Sequence, residues 1–109
     1  MANLSDPKVV WARRSMVQIV DCREGFEFVQ GHIEGSINVG LGELMAGGAT
    51  FEEAFPVIVV CKSGQRSELA ALMLQTRGFD AYNLSGGLEA WIEGGLPLDT
   101  SEGTRGFLS

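Results

Sequence analysis

A cysteine at the end of an apolar run is the residue of this sequence best suited to nucleophilic chemistry. Cys61 follows the run 57–60 and precedes six residues that lead into a helical pattern: Lys62, Ser63, Gly64, Gln65, Arg66 and Ser67. Backbone N–H groups in such a loop can form an anion-binding concavity, and the positive end of the following helix points at it. Lys62 and Arg66 add positive charge, which favours the thiolate. We interpret Cys61 as a nucleophile; the alternative is a buried structural cysteine.

Alternating strand and helix patterns surround this loop. The strand patterns, short and rich in β-branched or apolar residues, are 16–23, 35–40, 55–62 and 80–87. The helical patterns are 5–14, 24–32, 41–48, 67–79 and 86–95. This alternation predicts an α/β fold with a mostly parallel sheet covered on both faces. Ligands of such folds bind beyond the carboxyl ends of the strands, where Cys61 and Asp21 stand.

The helical patterns also predict which residues face the sheet. In the helix 67–79, Leu69, Leu72, Met73 and Thr76 share one face, and Ala70, Leu74 and Arg77 lie beside it. In the last helix, we expect Leu88, Trp91 and Ile92 to face inward. We expect Gly31 to end the helix before it in the left-handed conformation. Gly86 and Gly87 are expected to open the last helix close to the Cys61 loop.

Composition excludes several functional classes. The chain has 109 residues, which predicts one domain, and a formal net charge of -6, which disfavours nucleic acid and anionic membranes as partners. Two cysteines and one histidine exclude most zinc sites. No metal, nucleotide or flavin motif is present, so no cofactor is expected. The N-terminus has no apolar segment of signal-peptide length and no run approaches membrane-spanning length, so we expect a cytoplasmic protein with reduced thiols.

Three blocks of sequence resemble the signatures of one family. They are "DCREGFEFVQGHIEGSINV" (21–39), "VVCKSGQRS" (59–67) and "YNLSGGLEAWIEGGLPL" (82–98). In this order and at this spacing they resemble the single-domain rhodaneses, the thiosulfate sulfurtransferase-like proteins. The resemblance reaches Leu98, so we expect a rhodanese-like domain over 1–98 and a C-terminal tail over 99–109.

The resemblance implies a fold and a reaction. It implies a five-stranded parallel sheet flanked by helices on both faces, and sulfur transfer through a persulfide on Cys61. The thiolate would take the outer sulfur of a donor such as thiosulfate and pass it to cyanide or a thiol, in two covalent steps. The backbone amides of residues 62–67 would hold the persulfide, and Lys62 and Arg66 would bind an anionic donor. The partners implied are small sulfur donors and acceptors, or a sulfur-relay protein or thioredoxin-like acceptor.

Two other functions remain as alternatives. Cysteine phosphatases of related fold have five residues between cysteine and arginine, whereas four separate Cys61 from Arg66. A loop one residue shorter is expected to suit sulfur better than a phosphoryl group. A relay or partner-docking module without independent turnover is the second alternative.

Four further polar or thiol residues are of interest, and three of them, Asp21, Arg23 and Cys22, have two interpretations each. Asp21 and Arg23 could border the site; alternatively, Asp21 ties down loop amides and Arg23 pairs with Glu24 or Glu27. His32 is expected to bond a nearby backbone group. Cys22 stands where the family usually has an aliphatic residue, and we interpret it as buried and inert, with a resolving thiol for the Cys61 persulfide as the alternative.

Overall fold

The computed structural model describes residues 2–109. The helices are α1 (Pro7–Ala12), α2 (Gly25–Gln30), α3 (Leu41–Met45), α4 (Gln65–Thr76) and α5 (Gly87–Glu93), with a 3-10 turn at Arg14–Met16. The strands are β1 (Gln18–Asp21), β2 (Ile37–Asn38), β3 (Val57–Val60) and β4 (Ala81–Asn83). Each corresponds to a strand or helix predicted from the sequence. Within the described residues, no helix is both long and apolar enough to cross a membrane.

The four strands form one parallel sheet in the order β2-β1-β3-β4. β3 lies at its centre and all four of its residues are buried. Val57, Val59 and Cys61 face one core cluster, which Ala70, Ala71 and Leu74 of α4 cover. Ile58 and Val60 face the other, which includes Val10 of α1 and Leu88 and Trp91 of α5. The predicted α/β fold with both faces covered is confirmed.

The expectation of five strands is wrong for the described residues, where the sheet has four. Further extended contacts exist, but they are two isolated antiparallel bridges, one between His32 and Asp99 and one between Asp99 and Arg105. In the first of these, the two residues pair directly. Each residue donates its N–H to the other's carbonyl, at 3.0 and 2.8 Å. On one side of this bridge, the next hydrogen-bonded pair of a ladder would need an N–H from Pro97, which has none. On the other side, it would involve Gln30, which is the last residue of α2. The bridge therefore does not extend into a strand.

The inward face of α4 also differs from the prediction. Leu69 and Leu72 are 54% and 53% exposed. The buried residues are instead Ser67, Ala70, Ala71 and Leu74. Small side chains let the helix approach the sheet closely, so Ala70 and Ala71, with Leu74, lie against it rather than Leu69 and Leu72. Likewise Ile92 of α5 is 42% exposed, whereas Leu88 and Trp91 are buried as predicted.

Gly31 ends α2 for a different reason from the one expected. Its φ is 170°, which is extended backbone rather than the left-handed conformation. A Cβ atom there would lie 2.5 Å from both the N and O atoms of Phe107. The segment after Leu98 returns to this point, where the Phe107 N–H donates to Gln30 O at 2.8 Å. The division into a domain ending at Leu98 and a tail stays a prediction.

Candidate active site

Cys61 lies at the carboxyl end of the central strand, in a turn shorter than the sequence suggested. α4 begins at Gln65 rather than near Ser67, and Gly64 before it has a φ of 94°. This left-handed conformation favours glycine. Arg66 and Ser67 are therefore residues of the first helical turn, where backbone N–H groups have no partner within the helix. The fold directs that end of α4 at the cysteine.

Three donors converge on the Cys61 sulfur. The Gly64 N–H donates to Sγ at 3.1 Å, the Ser67 N–H at 3.4 Å and the Ser67 Oγ at 3.2 Å. The neighbouring Cys22 thiol, the Ser67 hydroxyl and these two N–H groups lower the pKa of Cys61 to about 4, although burial opposes them. These contacts favour the thiolate form of Cys61 over the thiol. The residue is fully buried.

Asn83 at the end of β4 is a site residue that the sequence did not indicate. Its Nδ2 donates to Gly64 O at 3.0 Å, which fixes the orientation of the amide. Its Oδ1 therefore faces the Ser67 Oγ at 2.5 Å. The Ser67 hydroxyl has one proton, which it can give to Asn83 or to Cys61 but not to both at once.

The start of α5 holds the loop through its backbone carbonyls. The N–H groups of Leu88 and Glu89 donate to the carbonyls of Cys61 and Lys62 at 2.9 and 3.0 Å. A Cβ on Gly87 would lie 2.5–2.7 Å from these carbonyl oxygens and from Gly64 N. The expected close approach of bare backbone to the loop is confirmed for Gly87, which has a φ of 63°.

Arg66 is held by an ion pair with α2. Its Nη1 and Nη2 atoms donate to the two carboxylate oxygens of Glu27 at 2.9 and 3.0 Å. The Arg66 hydrogen bonds are the main reason that the pKa of Glu27 falls to about 2, and the carboxylate in turn raises the pKa of Arg66. Glu27 also accepts the Glu24 N–H in a capping box, so α2 fixes the carboxylate. The distant Glu27 was not foreseen as the partner of Arg66.

The remaining loop residues are less constrained. Lys62 is half-buried, and Ser63 and Gln65 are exposed. Within residues 2–109, the Lys62 ammonium forms no ion pair, since the salt bridges found there involve other residues. The site therefore has two cationic side chains. Arg66 is paired with Glu27, whereas Lys62 has no ion-pair partner within residues 2–109 and remains available to a ligand.

Asp21 and Arg23 are fully buried and bound to each other. The Arg23 Nη2 lies 2.7 Å from Asp21 Oδ2, and the Arg23 N–H donates to Asp21 Oδ1 at 3.0 Å. Arg23 also donates to Gly31 O at 2.8 Å. The expected pairing of Arg23 with Glu24 or Glu27 is therefore wrong, because Asp21 lies closer and Glu27 binds Arg66. A role for Asp21 and Arg23 at the border of the site stays a prediction.

His32 makes the contact expected of it. Its Nδ1 lies 2.8 Å from Phe28 O, and its ring stacks on that of Phe28 with centroids 3.8 Å apart. The histidine thus fixes the end of α2.

Known proteins resemble this chain in sequence. The thiosulfate sulfurtransferase GlpE of Shewanella oneidensis is 44% identical over 80 residues, covering 71% of this chain and 77% of that protein. GlpE of Pseudomonas aeruginosa is 37% identical over 92 residues, covering 84% and 83%. The putative sulfur carrier protein YrkF of Bacillus subtilis is 33% identical over 76 residues, covering 69% of this chain and 41% of that protein.

Solved structures agree on the fold. A rhodanese-related protein from Thermoplasma volcanium superposes with a TM-score of 0.80 at 30% identity, covering 85% of this chain and 93% of the other. A Rhodopseudomonas palustris protein of unknown function, described as a possible tyrosine phosphatase, gives 0.77 at 30% identity, covering 86% and 82%. The family model for the rhodanese-like domain matches residues 3–94. The chain therefore belongs to the rhodanese family.

Proposed function

We propose that this protein is a thiosulfate sulfurtransferase in which Cys61 carries the sulfur as a persulfide. The observation that supports this most directly is the convergence of Gly64 N–H, Ser67 N–H and Ser67 Oγ on Cys61 Sγ. The thiolate, not the thiol, is the nucleophile in sulfur chemistry. The similar GlpE proteins, named as thiosulfate sulfurtransferases, support the same reaction.

The reaction has two steps, and neither needs a general base. In the first, the Cys61 thiolate attacks the outer sulfur of thiosulfate, the S–S bond of the donor breaks and sulfite leaves with the bonding electrons. In the second, an acceptor such as cyanide attacks the outer sulfur of the persulfide and restores the thiolate. A covalent intermediate of this kind gives ping-pong kinetics.

The loop backbone is oriented to hold the anionic persulfide. The carbonyls of Cys61, Lys62 and Gly64 all accept hydrogen bonds from β4 or α5. Because a trans peptide directs its C=O and N–H in opposite directions, the N–H groups of Lys62, Ser63 and Gln65 face away from β4 and α5. These amides support the proposed role of residues 62–67 in binding the outer sulfur.

Positive charge at the loop suits an anionic donor. The chain carries a formal net charge of -6, so Lys62 and Arg66 are a local exception. Arg66 is fixed by Glu27, whereas Lys62 has no such partner among the described residues. In this proposal Lys62 attracts the donor, and Arg66 keeps α4 and α2 together beside it.

Thiocyanate formation from thiosulfate and cyanide tests the proposal. The wild-type protein is expected to turn over, and Cys61→Ser is expected to fall to the uncatalysed background because a hydroxyl cannot carry the sulfur. A matched thermal unfolding curve for Cys61→Ser separates loss of chemistry from loss of fold. Turnover in folded Cys61→Ser would exclude Cys61 as the carrier.

A relay role is the second candidate, favoured by the similarity to a putative sulfur carrier protein. A relay would accept sulfur from a persulfide-bearing protein and react poorly with thiosulfate. The partners would then be a protein donor and a protein thiol, such as a thioredoxin-like acceptor. Cys22 and Cys61 are both free thiols, which is consistent with the cytoplasmic location that we propose.

A further inference from the structure

Cys22 lies beside Cys61 on the neighbouring strand. β1 and β3 pair in parallel with Val20 opposite Val59 and Asp21 opposite Val60, so Cys22 and Cys61 are the next pair in register. The Cys22 N–H donates to Val60 O at 2.9 Å, which continues the ladder to this pair. The sequence places the two cysteines 39 positions apart, yet the sheet makes them neighbours.

Both thiols also lie on the same face of the sheet. They belong to one core cluster, with Cys22 1% exposed and Cys61 fully buried. In-register Cα atoms on neighbouring strands are about 4.8 Å apart. Disulfides form when the Cα atoms are about 4.4–6.8 Å apart. The Cα spacing expected for this pair therefore lies within the range for a disulfide.

We infer that Cys22 resolves the Cys61 persulfide and releases its outer sulfur as hydrosulfide. This inference rests on the proposed function, because it requires a persulfide on Cys61. The Cys22 sulfur attacks Cys61 Sγ, the bond from Sγ to the outer sulfur breaks, and a Cys22–Cys61 disulfide forms. The Cys22 proton leaves with the outer sulfur. The Cys22 sulfur is oxidised and the outer sulfur is reduced, so no external oxidant takes part.

The arrangement around Cys61 favours attack on Sγ rather than on the outer sulfur. Gly64 and Ser67 reach Sγ from the loop and from α4, whereas Cys22 reaches it from β1 within the sheet. The outer sulfur belongs on the loop side, among the amides, so it is the group displaced. In the reduced protein, Cys61 and burial raise the pKa of Cys22, so Cys22 holds its proton. Because only the thiolate is nucleophilic, this proton must pass to the anionic outer sulfur as Cys22 attacks Sγ.

The consequence is a second outcome for sulfur taken from thiosulfate. With a good acceptor present, the sulfur passes to the acceptor. Without one, Cys22 expels it as hydrosulfide, and the protein stops in a disulfide state. A dithiol reductant is then needed to restore the two thiols, so the net reaction converts thiosulfate and a dithiol to sulfite, hydrosulfide and a disulfide.

The test is to incubate the reduced protein with thiosulfate and no acceptor, and then to measure intact mass and released sulfide. Cys22→Ser is the matched variant, since serine keeps a hydrogen-bond donor beside Cys61 but cannot form the disulfide. Trypsin cleaves after Arg14, Arg23 and Lys62, so the two cysteines fall in separate peptides, 15–23 and 24–62. A non-reducing digest then identifies the bond.

The wild-type protein is expected to lose the mass of two hydrogens, to release about one sulfide per chain and to yield the linked peptides. Cys22→Ser is expected to keep one added sulfur atom and to release none. A wild-type protein that keeps its added sulfur for as long as Cys22→Ser does would overturn the inference.

A second donor separates this inference from the proposed function. If thiosulfate modifies neither protein, the proposed function fails, and inorganic polysulfide then supplies the sulfur directly. Intact mass then tests the role of Cys22 with polysulfide as the donor. A disulfide in the wild type together with a stable persulfide in Cys22→Ser supports the inference. If polysulfide does not add sulfur to Cys61 either, no persulfide forms and the inference is overturned together with the proposed function.

Discussion

At the scale of single residues, Ser67 provides two of the three hydrogen bonds that Cys61 Sγ accepts from Gly64 and Ser67. It contributes both a backbone N–H and a hydroxyl to the sulfur. The hydroxyl is shared with Asn83, whose amide is fixed by Gly64. Removing the hydroxyl leaves the backbone donors in place, so the effect on the thiolate can be measured without loss of the loop.

We predict that Ser67→Ala raises the pKa of Cys61 from its value of about 4. A hydrogen bond to a charged group contributes about 1.5–3 kcal/mol, and about 1.4 kcal/mol corresponds to one pKa unit, so a fully donated hydrogen bond corresponds to about 1–2 units. Because the hydroxyl proton is shared with Asn83, about 2 units is the upper limit of the shift. The thiolate is lost as pH falls through the pKa, so the rate of alkylation by iodoacetamide falls at a higher pH in the variant. The measurement is that rate against pH.

Ser63→Ala is the control for this profile, since Ser63 is an exposed serine of the same loop. It is expected to keep the wild-type midpoint. The Glu27 carboxyl has a pKa of about 2, so its ion pair with Arg66 persists through the range in which Cys61 titrates. Equal midpoints in Ser67→Ala and wild type would contradict the assigned role of the hydroxyl.

The sequence predicted the local part of this site and missed the distant part. Cys61, Gly64 and Ser67 are within seven positions of one another, so strand, turn and helix patterns suffice to bring them together. Glu27 lies 39 positions before Arg66, and Asn83 lies 16 after Ser67. Those contacts depend on how α2 and β4 pack around the loop, which no local pattern specifies.

At the scale of elements, α4 shows why hydrophobicity alone misjudged a helix face. The sequence pattern favoured the face with Leu69 and Leu72, but Ala70 and Ala71 are the residues that pack against the sheet. Close contact between helix and sheet needs small side chains at the point of nearest approach. Because α4 packs by its alanine face, Leu69 and Leu72 are left half-exposed.

Adjacent substitutions in α4 test which face is packed. Ala71 is 3% exposed and Leu72 is 53% exposed. We predict that Ala71→Leu lowers the free energy of unfolding by about 1–3 kcal/mol, because a tightly packed site cannot accept the larger side chain. Leu72→Ala is expected to change it by only about 0.5 kcal/mol, as for other surface substitutions.

Urea unfolding of the two variants beside wild type provides the measurement. The reverse order, with Leu72→Ala the more destabilised, would mean that α4 packs by the face that the leucine pattern favoured.

At the scale of the whole molecule, the sequence predicted a parallel sheet between layers of helices but not the number of strands in that sheet. The alternation of strands and helices was sufficient for a parallel sheet covered on both sides. The number of strands was not predictable in this way, because the His32–Asp99 bridge depends on where the last segment of the chain returns. That return requires close contact between two glycines: a Cβ on Gly106 would lie 2.6 Å from the Gly31 Cα.

Four elements of the fold meet at Cys61, where the proposed chemistry takes place. β3 precedes the cysteine, α4 supplies donors to its sulfur, and β4 and α5 donate hydrogen bonds to the loop carbonyls. The proposed mechanism requires that thiosulfate react with the protein before any acceptor is present. Its first step must therefore be visible on its own, as release of sulfite.

The most direct test mixes the reduced protein with thiosulfate alone and measures sulfite released per chain. The account predicts a burst of about one sulfite per wild-type chain, whether the sulfur then stays on Cys61 or is expelled by Cys22, and no burst from Cys61→Ser. Sulfite that appears only after cyanide is added would contradict it, because the sulfur would then pass directly from donor to acceptor without a persulfide on the protein.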